Sequence, residues 1–188
     1  FNVKVAQHIY PAADLSERYG ANTNVGIAGE WLTNKTNLIF GLESGYIFGN
    51  QVKTDVLAGL RTAEGFIVGN DRGLADIPLK QRGYYVGGKV GKLFPVSVKE
   101  PRSGLRLTLG AGLLQHKIRI QDDPERGVAA LAGDYKKGYD RLSNGLALNA
   151  FAGYQMMSND GRINFFIGLE ACYGMVQNRR SFNYDTRT

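Results

Sequence analysis

Six ionisable residues scattered from one end of the chain to the other, Lys4, Glu30, Glu43, Lys89, Arg106 and Glu170, occupy the same alternate register opposite apolar residues. Three bases and three acids on one face allow three readings. Glu30 and Glu43 could act as a general acid and base, the set could line an ion pathway, or it could neutralise itself in a hydrogen-bonded ionic plug. The interleaved bases and the narrow lumen of a small barrel favour the plug. The two histidines, His8 and His116, share this register, but neither has a serine motif beside it, so no nucleophile of a triad is identifiable. Asp122, Asp123 and Glu125 could ligate calcium, yet their spacing is not that of an EF-hand and reads as a solvated loop. Cys172 is the single cysteine, which excludes an intramolecular disulfide and any multi-cysteine metal site, and it reads as a small inward-facing filler. The glycines of GYYVGGKVG and GAGLLQ lie within strand patterns and make poor phosphate loops. No catalytic, cofactor-binding or metal site is expected.

The elements that carry these residues are β-strands. The chain has 188 residues, 25 of them glycine and 5 proline, without the repeat of collagen, so the glycine must serve a β-rich architecture or its turns. Its length fits one domain over residues 1–188. Period-two alternation runs through most of it. In segment 163–176, Ile163, Phe165, Ile167, Leu169, Ala171, Tyr173 and Met175 oppose Asn164, Phe166, Gly168, Glu170, Cys172, Gly174 and Val176. Segment 104–121 sets Leu105, Leu107, Leu109, Ala111 and Leu113 against Arg106, Thr108, Gly110, Gly112 and His116, and slips near Leu114, where a bulge is expected. Similar alternation marks strands around Val25–Trp31, Leu38–Phe48, Tyr84–Phe94 and Leu146–Tyr154, and a weaker one over residues 1–10, where Gln7 interrupts the apolar face.

The face opposite the apolar one is mostly glycine, alanine and isolated charges, rather than the long hydrophilic residues a soluble sandwich turns to water. That suits the interior of a narrow barrel whose bulky face meets lipid. A lipocalin-like soluble barrel is the plainer alternative. Aromatic residues check the register, because Trp and Tyr gather at membrane interfaces. Trp31, Phe40, Phe94, Tyr154 and Phe165 form one expected girdle, and Tyr46, Phe48, Tyr84 and Tyr173 the other. Connections 34–37, 98–103 and 159–162 are short, whereas 11–21, 51–80 and 122–141 are long, the outer-membrane pattern of short inner turns and long external loops.

The expected fold is therefore an all-β, antiparallel, eight-stranded transmembrane β-barrel in a bacterial outer membrane, with long loops facing the exterior. Seven strands are countable in the sequence, and barrels of this kind close with an even number. An eighth strand is expected after the polar RRSFNYDTRT. The opening FNVKV, without an initiator Met, fits a mature chain left after signal cleavage. A net charge of +6 is too mild to point to nucleic acid, but Lys136, Lys137, Arg141, Arg179 and Arg180 gather toward the external end, where they fit lipopolysaccharide or an acidic partner and equally a plain solvated loop surface. Loop 51–80, with its apolar VLAGL and GFIVG, is expected to fold back on itself or to pack on a partner.

The segments NLIFGLESGYIFGN, QRGYYVGGKVGKLFPV, HKIRIQDDPERGVAALAGDYKKGYDRLSNGLALNAFAGYQ and RRSFNYDTRT resemble small outer-membrane β-barrel proteins of Bacteroidota. In size and type the chain is similar to PorG-like barrels of the type IX secretion machinery. The resemblance implies a non-catalytic barrel held in a larger envelope complex, for protein secretion or outer-membrane protein assembly, with outer-membrane lipid, lipopolysaccharide and other envelope proteins as partners. The alternatives are a stand-alone surface-binding barrel and a lipid A-modifying enzyme. Small acyltransferases and deacylases of that second kind use a histidine with a serine near the outer rim, which gives His8 and His116 their interest.

Overall fold

The computed structural model describes residues 2–9, 14–97, 100–121, 126–157 and 164–187. The strands are β1 (Asn2–His8), β2 (Asn22–Leu32), β3 (Leu38–Gly49), the two-residue strands β4 (Ile67–Val68) and β5 (Leu74–Ala75), β6 (Leu79–Ser97), β7 (Glu100–Ile120), β8 (Ser143–Met157) and β9 (Asn164–Asn178). Seven of them form one sheet in the order β1-β2-β3-β6-β7-β8-β9, every neighbouring pair antiparallel. β4 and β5 make a separate small hairpin. The fold is all-β, a curled antiparallel sheet of seven strands.

Alternating sequence dictates the two faces, because successive side chains of a strand point to opposite sides. Along β3, and in β7 from Leu105 onward, burial alternates, with Ile39, Glu43, Ile47, Arg106, Thr108, Leu114 and His116 buried and the residues on either side of each more exposed. The sheet curls strongly enough for side chains of distant strands to meet across the concave face. Lys4 on β1 reaches Glu170 on β9, and Asn164 Nδ2 donates to Asn2 Oδ1 at 3.2 Å between the same two edge strands. Glycines on this face make room for the few large residues. A Cβ on Gly87 would strike the Tyr85 hydroxyl, and Cβ atoms on Gly153 and Gly168 would lie 2.7 and 2.8 Å from Phe151 Cζ.

Several sequence expectations are corrected. There is no bulge at Leu114. β7 stays in register through it, pairing Leu114 with Tyr85 and with Gly145. The apparent slip arises because Leu114 is an inward apolar residue, packed with Ile47, Tyr85 and Ala147 in a small interior core. The register shift falls instead between Pro95 and Ser97, as expected where proline withholds an N–H from the ladder. The short connection expected over 98–103 shrinks, because β7 already begins at Glu100. A short helix, Asp14–Arg18, occupies part of the loop 11–21. Loop 51–80 does fold back on itself. Phe1, Tyr10, Val98, Ile163, the turn 159–162 and the acidic Asp122, Asp123 and Glu125 lie outside the described residues.

The main hydrophobic core does not lie between strands; it sits at the long-loop end. Tyr19, Val56, Leu57, Ile67, Ala75, Ile77 and Leu131 pack there against Ile118 and Ile120 at the end of β7. β7 has 21 residues, about 70 Å of extended chain at ~3.4 Å per residue, so its end projects into this cap.

Candidate functional site

The six charged residues singled out in the sequence meet in one layer on the concave face. Arg106 Nη2 donates to Glu30 Oε1 at 2.5 Å, and Lys89 Nζ lies 2.6 Å from the same oxygen. Lys89 also donates to Glu43 Oε2 at 3.0 Å, and Lys4 Nζ stands 4.0 Å from that oxygen. Lys4 completes the series by donating to Glu170 Oε1 at 2.8 Å. Acids and bases thus alternate along a continuous chain that crosses from β7 through β2, β6, β3 and β1 to β9. Low-dielectric surroundings make each unpaired charge costly, so every carboxylate is shared between cations or held by one.

Polar and aromatic residues outside the charged six complete the layer. Gln155 Oε1 accepts from Arg106 Nη1 at 2.9 Å, Asn149 Nδ2 donates to Glu43 at 3.4 Å, and Asn2 Nδ2 donates to Glu30 Oε2 at 2.7 Å. The Arg106 guanidinium lies over the Phe166 ring, 4.8 Å from its centroid, and Phe166 meets Phe151 edge to face. All of them stand on the inward register, so an alternation count was enough to find them. The two interior spaces within this layer measure about 20 and 10 Å³. A buried water needs roughly 10–15 Å³, so the larger space has room for about one.

The histidines fall in different settings. His8 Nε2 approaches Glu170 Oε2 at 3.6 Å and extends the charged chain. His116 is buried under the cap, 3.5 Å from the Tyr19 hydroxyl. Register places Ser143 of β8 directly opposite His116 of β7, a juxtaposition that no local motif announces. Ser143 Oγ donates to the Arg141 carbonyl at 3.2 Å, and both side chains are buried. Cys172 takes the inward register but is exposed, because β9 is an edge strand with no neighbour beyond it. Among the described residues, no three histidine, cysteine or acidic side chains gather as a metal site.

Among the described residues the cap is an ordered structure made from four excursions of the chain, 14–21, 51–78, 126–142 and 179–187, the first joined to the second where the Gly20 N–H donates to the Gln51 carbonyl and the Lys53 N–H to the Arg18 carbonyl. Arg61 organises residues 51–78, donating to Asp55 at 2.6 Å, to the Gly65 carbonyl at 2.8 Å and to the Ile77 carbonyl at 3.2 Å. Asn70 joins this loop to the next, its N–H donating to the Gly127 carbonyl and its Oδ1 accepting from the Ala129 N–H. Residues 179–187 lie on the same loop. Arg180 forms a two-pronged pair with Asp140, Arg141 pairs with Asp185, and the Tyr184 ring covers Gly138.

The basic cluster at this end is therefore largely paired. Lys137 bonds Asp134 at 2.6 Å and Arg179 donates to Asn144 Oδ1 at 2.5 Å. The Lys137 hydrogen bond, reinforced by its charge, holds the Asp134 carboxyl below its ordinary pKa. The Asp140 hydrogen bond pushes the Arg180 pKa up, and burial raises that of the Tyr139 phenol.

The convex face is apolar. Trp31 is 71% exposed and Leu169 83%, and the other expected girdle residues, Phe40, Tyr46, Phe48, Tyr84, Phe94, Tyr154, Phe165 and Tyr173, are all exposed on it. Tyr46 pairs with Tyr84, and Trp31 with Phe40. Tyr173 shares its row with Leu148, Ala111 and Gly88 rather than with Tyr46. Rows of paired residues slope when strands tilt, so one row is not one depth. No known protein family, curated protein or solved structure matches the chain.

Proposed function

We propose that this chain is a transmembrane β-barrel of a bacterial outer membrane, completed by an eighth strand, with its cap on the cell exterior. In this reading it acts as a non-catalytic structural or accessory subunit of an envelope protein complex, for protein secretion or outer-membrane protein assembly. A PorG-like role in type IX secretion is the specific form of that proposal. The observation that carries it is the inversion of the two faces: charges knitted together inside, and bulky apolar side chains left exposed outside. A soluble protein rarely exposes so continuous an apolar surface, whereas a barrel in lipid requires one.

Strand direction supports the proposed eighth strand. Seven strands alternate up and down, so β1 and β9 run the same way and cannot pair antiparallel with each other. One strand running opposite to both satisfies both edges. The non-catalytic reading draws support from the small interior spaces and from the burial of Ser143 and His116. In this reading the surfaces that serve function are the cap and the wall. Exposed apolar residues on the cap, Phe66, Val68, Leu74, Tyr135, Phe182 and Tyr184, suit contact with another protein.

The test is affinity purification from native outer membranes in a gentle detergent, with mass spectrometry of what is retained. Stoichiometric envelope partners are the expected outcome. A solitary barrel, or release of fatty acid from lipid A by the purified protein, would overturn the subunit reading.

A further inference from the structure

We propose that the convex wall carries a phospholipid site, in which Lys92 holds the phosphate and an apolar trough above it holds an acyl chain. The proposal rests on the reading of this wall as bilayer-facing. Register defines six successive rows of outward residues, from the row of Val25, Tyr46 and Tyr84 to the row of Phe94, Leu105 and Tyr154. Among the described residues in those rows, Lys92 is the only charged one. Its row contains Leu38, the first residue of β3, and the next residue along, Leu93, donates its N–H to the Asn37 carbonyl in the short β2–β3 turn. Lys92 therefore sits at the short-turn rim. Its Nζ lies 5.5 Å from the Phe94 ring centroid, and among the described residues it forms no ion pair; Glu170, which borders the same groove, stands on the inward register and bonds Lys4.

A lysine in an otherwise uncharged lipid-facing band is costly unless it reaches an anion at the interface. The surface beside it is shaped for the rest of such a molecule. Ala150, Ala152 and Ala171 form a low floor between the taller Phe40, Leu107 and Leu169, leaving a groove of about 730 Å³ that Lys92 itself lines. This groove shares Phe40, Val90 and Leu109 with a second depression of about 940 Å³, which passes over Gly88 and Ala111 beside Trp31. Together they make a trough that starts at Lys92 and climbs about 13 Å, four residues of strand, into the apolar band. A linear hydrocarbon chain with an anionic head matches both its shape and its charge. The short-turn rim faces the phospholipid leaflet in the proposed orientation, so the occupant is a glycerophospholipid with an anionic headgroup.

Trp31 is the sole tryptophan of the chain and borders the trough, so it reports directly. The full chain is reconstituted in phosphatidylcholine vesicles in which one lipid in about ten is brominated, either phosphatidylglycerol or phosphatidylcholine. Brominated phosphatidylglycerol is expected to quench Trp31 with about fivefold higher relative association, the effect of one lysine meeting an anionic headgroup. Lys92→Gln removes that excess, and Ala150→Phe removes it by filling the groove. Lys80→Gln deletes the same charge at the other end of β6 and keeps the excess. Equal quenching by the two lipids overturns the site while leaving the wall in the bilayer, as does an excess that survives Lys92→Gln or disappears equally in Lys80→Gln. Absence of quenching by either lipid overturns the bilayer reading itself, and the site with it.

Discussion

Lys4 and Glu170 are separated by 166 positions in the sequence, yet their side chains meet at 2.8 Å, and they do so from the two unpaired edges of the sheet. Backbone pairing stops at β1 and β9, but the side-chain chemistry does not. The ion pair spans the seam from the inside and fixes how far the sheet has curled.

Glu170→Gln leaves Lys4 with only the distant Glu43 carboxylate. Removing one partner of a buried pair costs ~3–5 kcal/mol, and this one should fall at the lower end, because both side chains keep some solvent contact. Denaturant unfolding in detergent measures it. Replacing both partners, as Lys4→Met with Glu170→Leu, is expected to recover most of the loss. An unchanged midpoint in the single variant would mean that the pair holds nothing together.

The two spaces in the charged layer, about 20 and 10 Å³, predict a non-conducting protein. Planar-bilayer recordings of the wild type should show no steady current. Lys89→Ala combined with Arg106→Ala removes the two cations that bridge Glu30, and is expected to open a small, cation-favouring conductance. A wild-type channel with stable conductance would refute the plugged interior.

Arg61 makes three hydrogen bonds within loop 51–78, one of them to a carboxylate. Hydrogen bonds to charged groups contribute about 1.5–3 kcal/mol each, without adding simply. Arg61→Ala should therefore expose the loop to trypsin at Lys53 or Arg72 while the strands remain intact. Limited proteolysis followed by mass spectrometry reads both. Cleavage at the wild-type rate would show that the cap is held by its apolar contacts alone.

Leu57 and Ile118 are fully buried in the cap core. Truncation of such residues to alanine costs about 2–5 kcal/mol. Leu57 belongs to a loop, whereas Ile118 anchors that loop to β7. Leu57→Ala is expected to destabilise the cap alone, and Ile118→Ala to loosen both the cap and the adjoining end of the sheet. Hydrogen exchange resolved by segment distinguishes the two patterns.

Much of the interior was legible because a strand has only two faces. Once Ile163 to Val176 alternates, Glu170 must share a face with Cys172 and oppose Leu169, and the same count collects Lys4, Glu30, Glu43, Lys89 and Arg106 without any knowledge of pairing. The failures have physical causes too. Leu114 looked out of phase because the rule expects polar residues inside, while the upper interior is apolar. The cap was illegible because its contacts are long-range. Nothing in VLAGL or GFIVG announces that Arg61 reaches back to Ile77, or that Asn70 ties two loops together. The Ser143–His116 juxtaposition depends on the register between β7 and β8, which alternation alone leaves free.

The charged chain also has a consequence for how the molecule comes to exist. β2 and β3, or β6 and β7, join through short turns and have the ingredients to pair early, since local contacts cost little closure entropy. None of these hairpins completes its own ions. Glu30 draws its cations from β6 and β7, and Glu43 from β6 and β1, while Glu170 must wait for the first strand and Lys4 for the last. If the wall faces lipid as proposed, a half-made sheet would carry bare charges into it, so committing strands one at a time is penalised. Assembly of this protein should behave as a single concerted event that begins only after the final strand has been delivered.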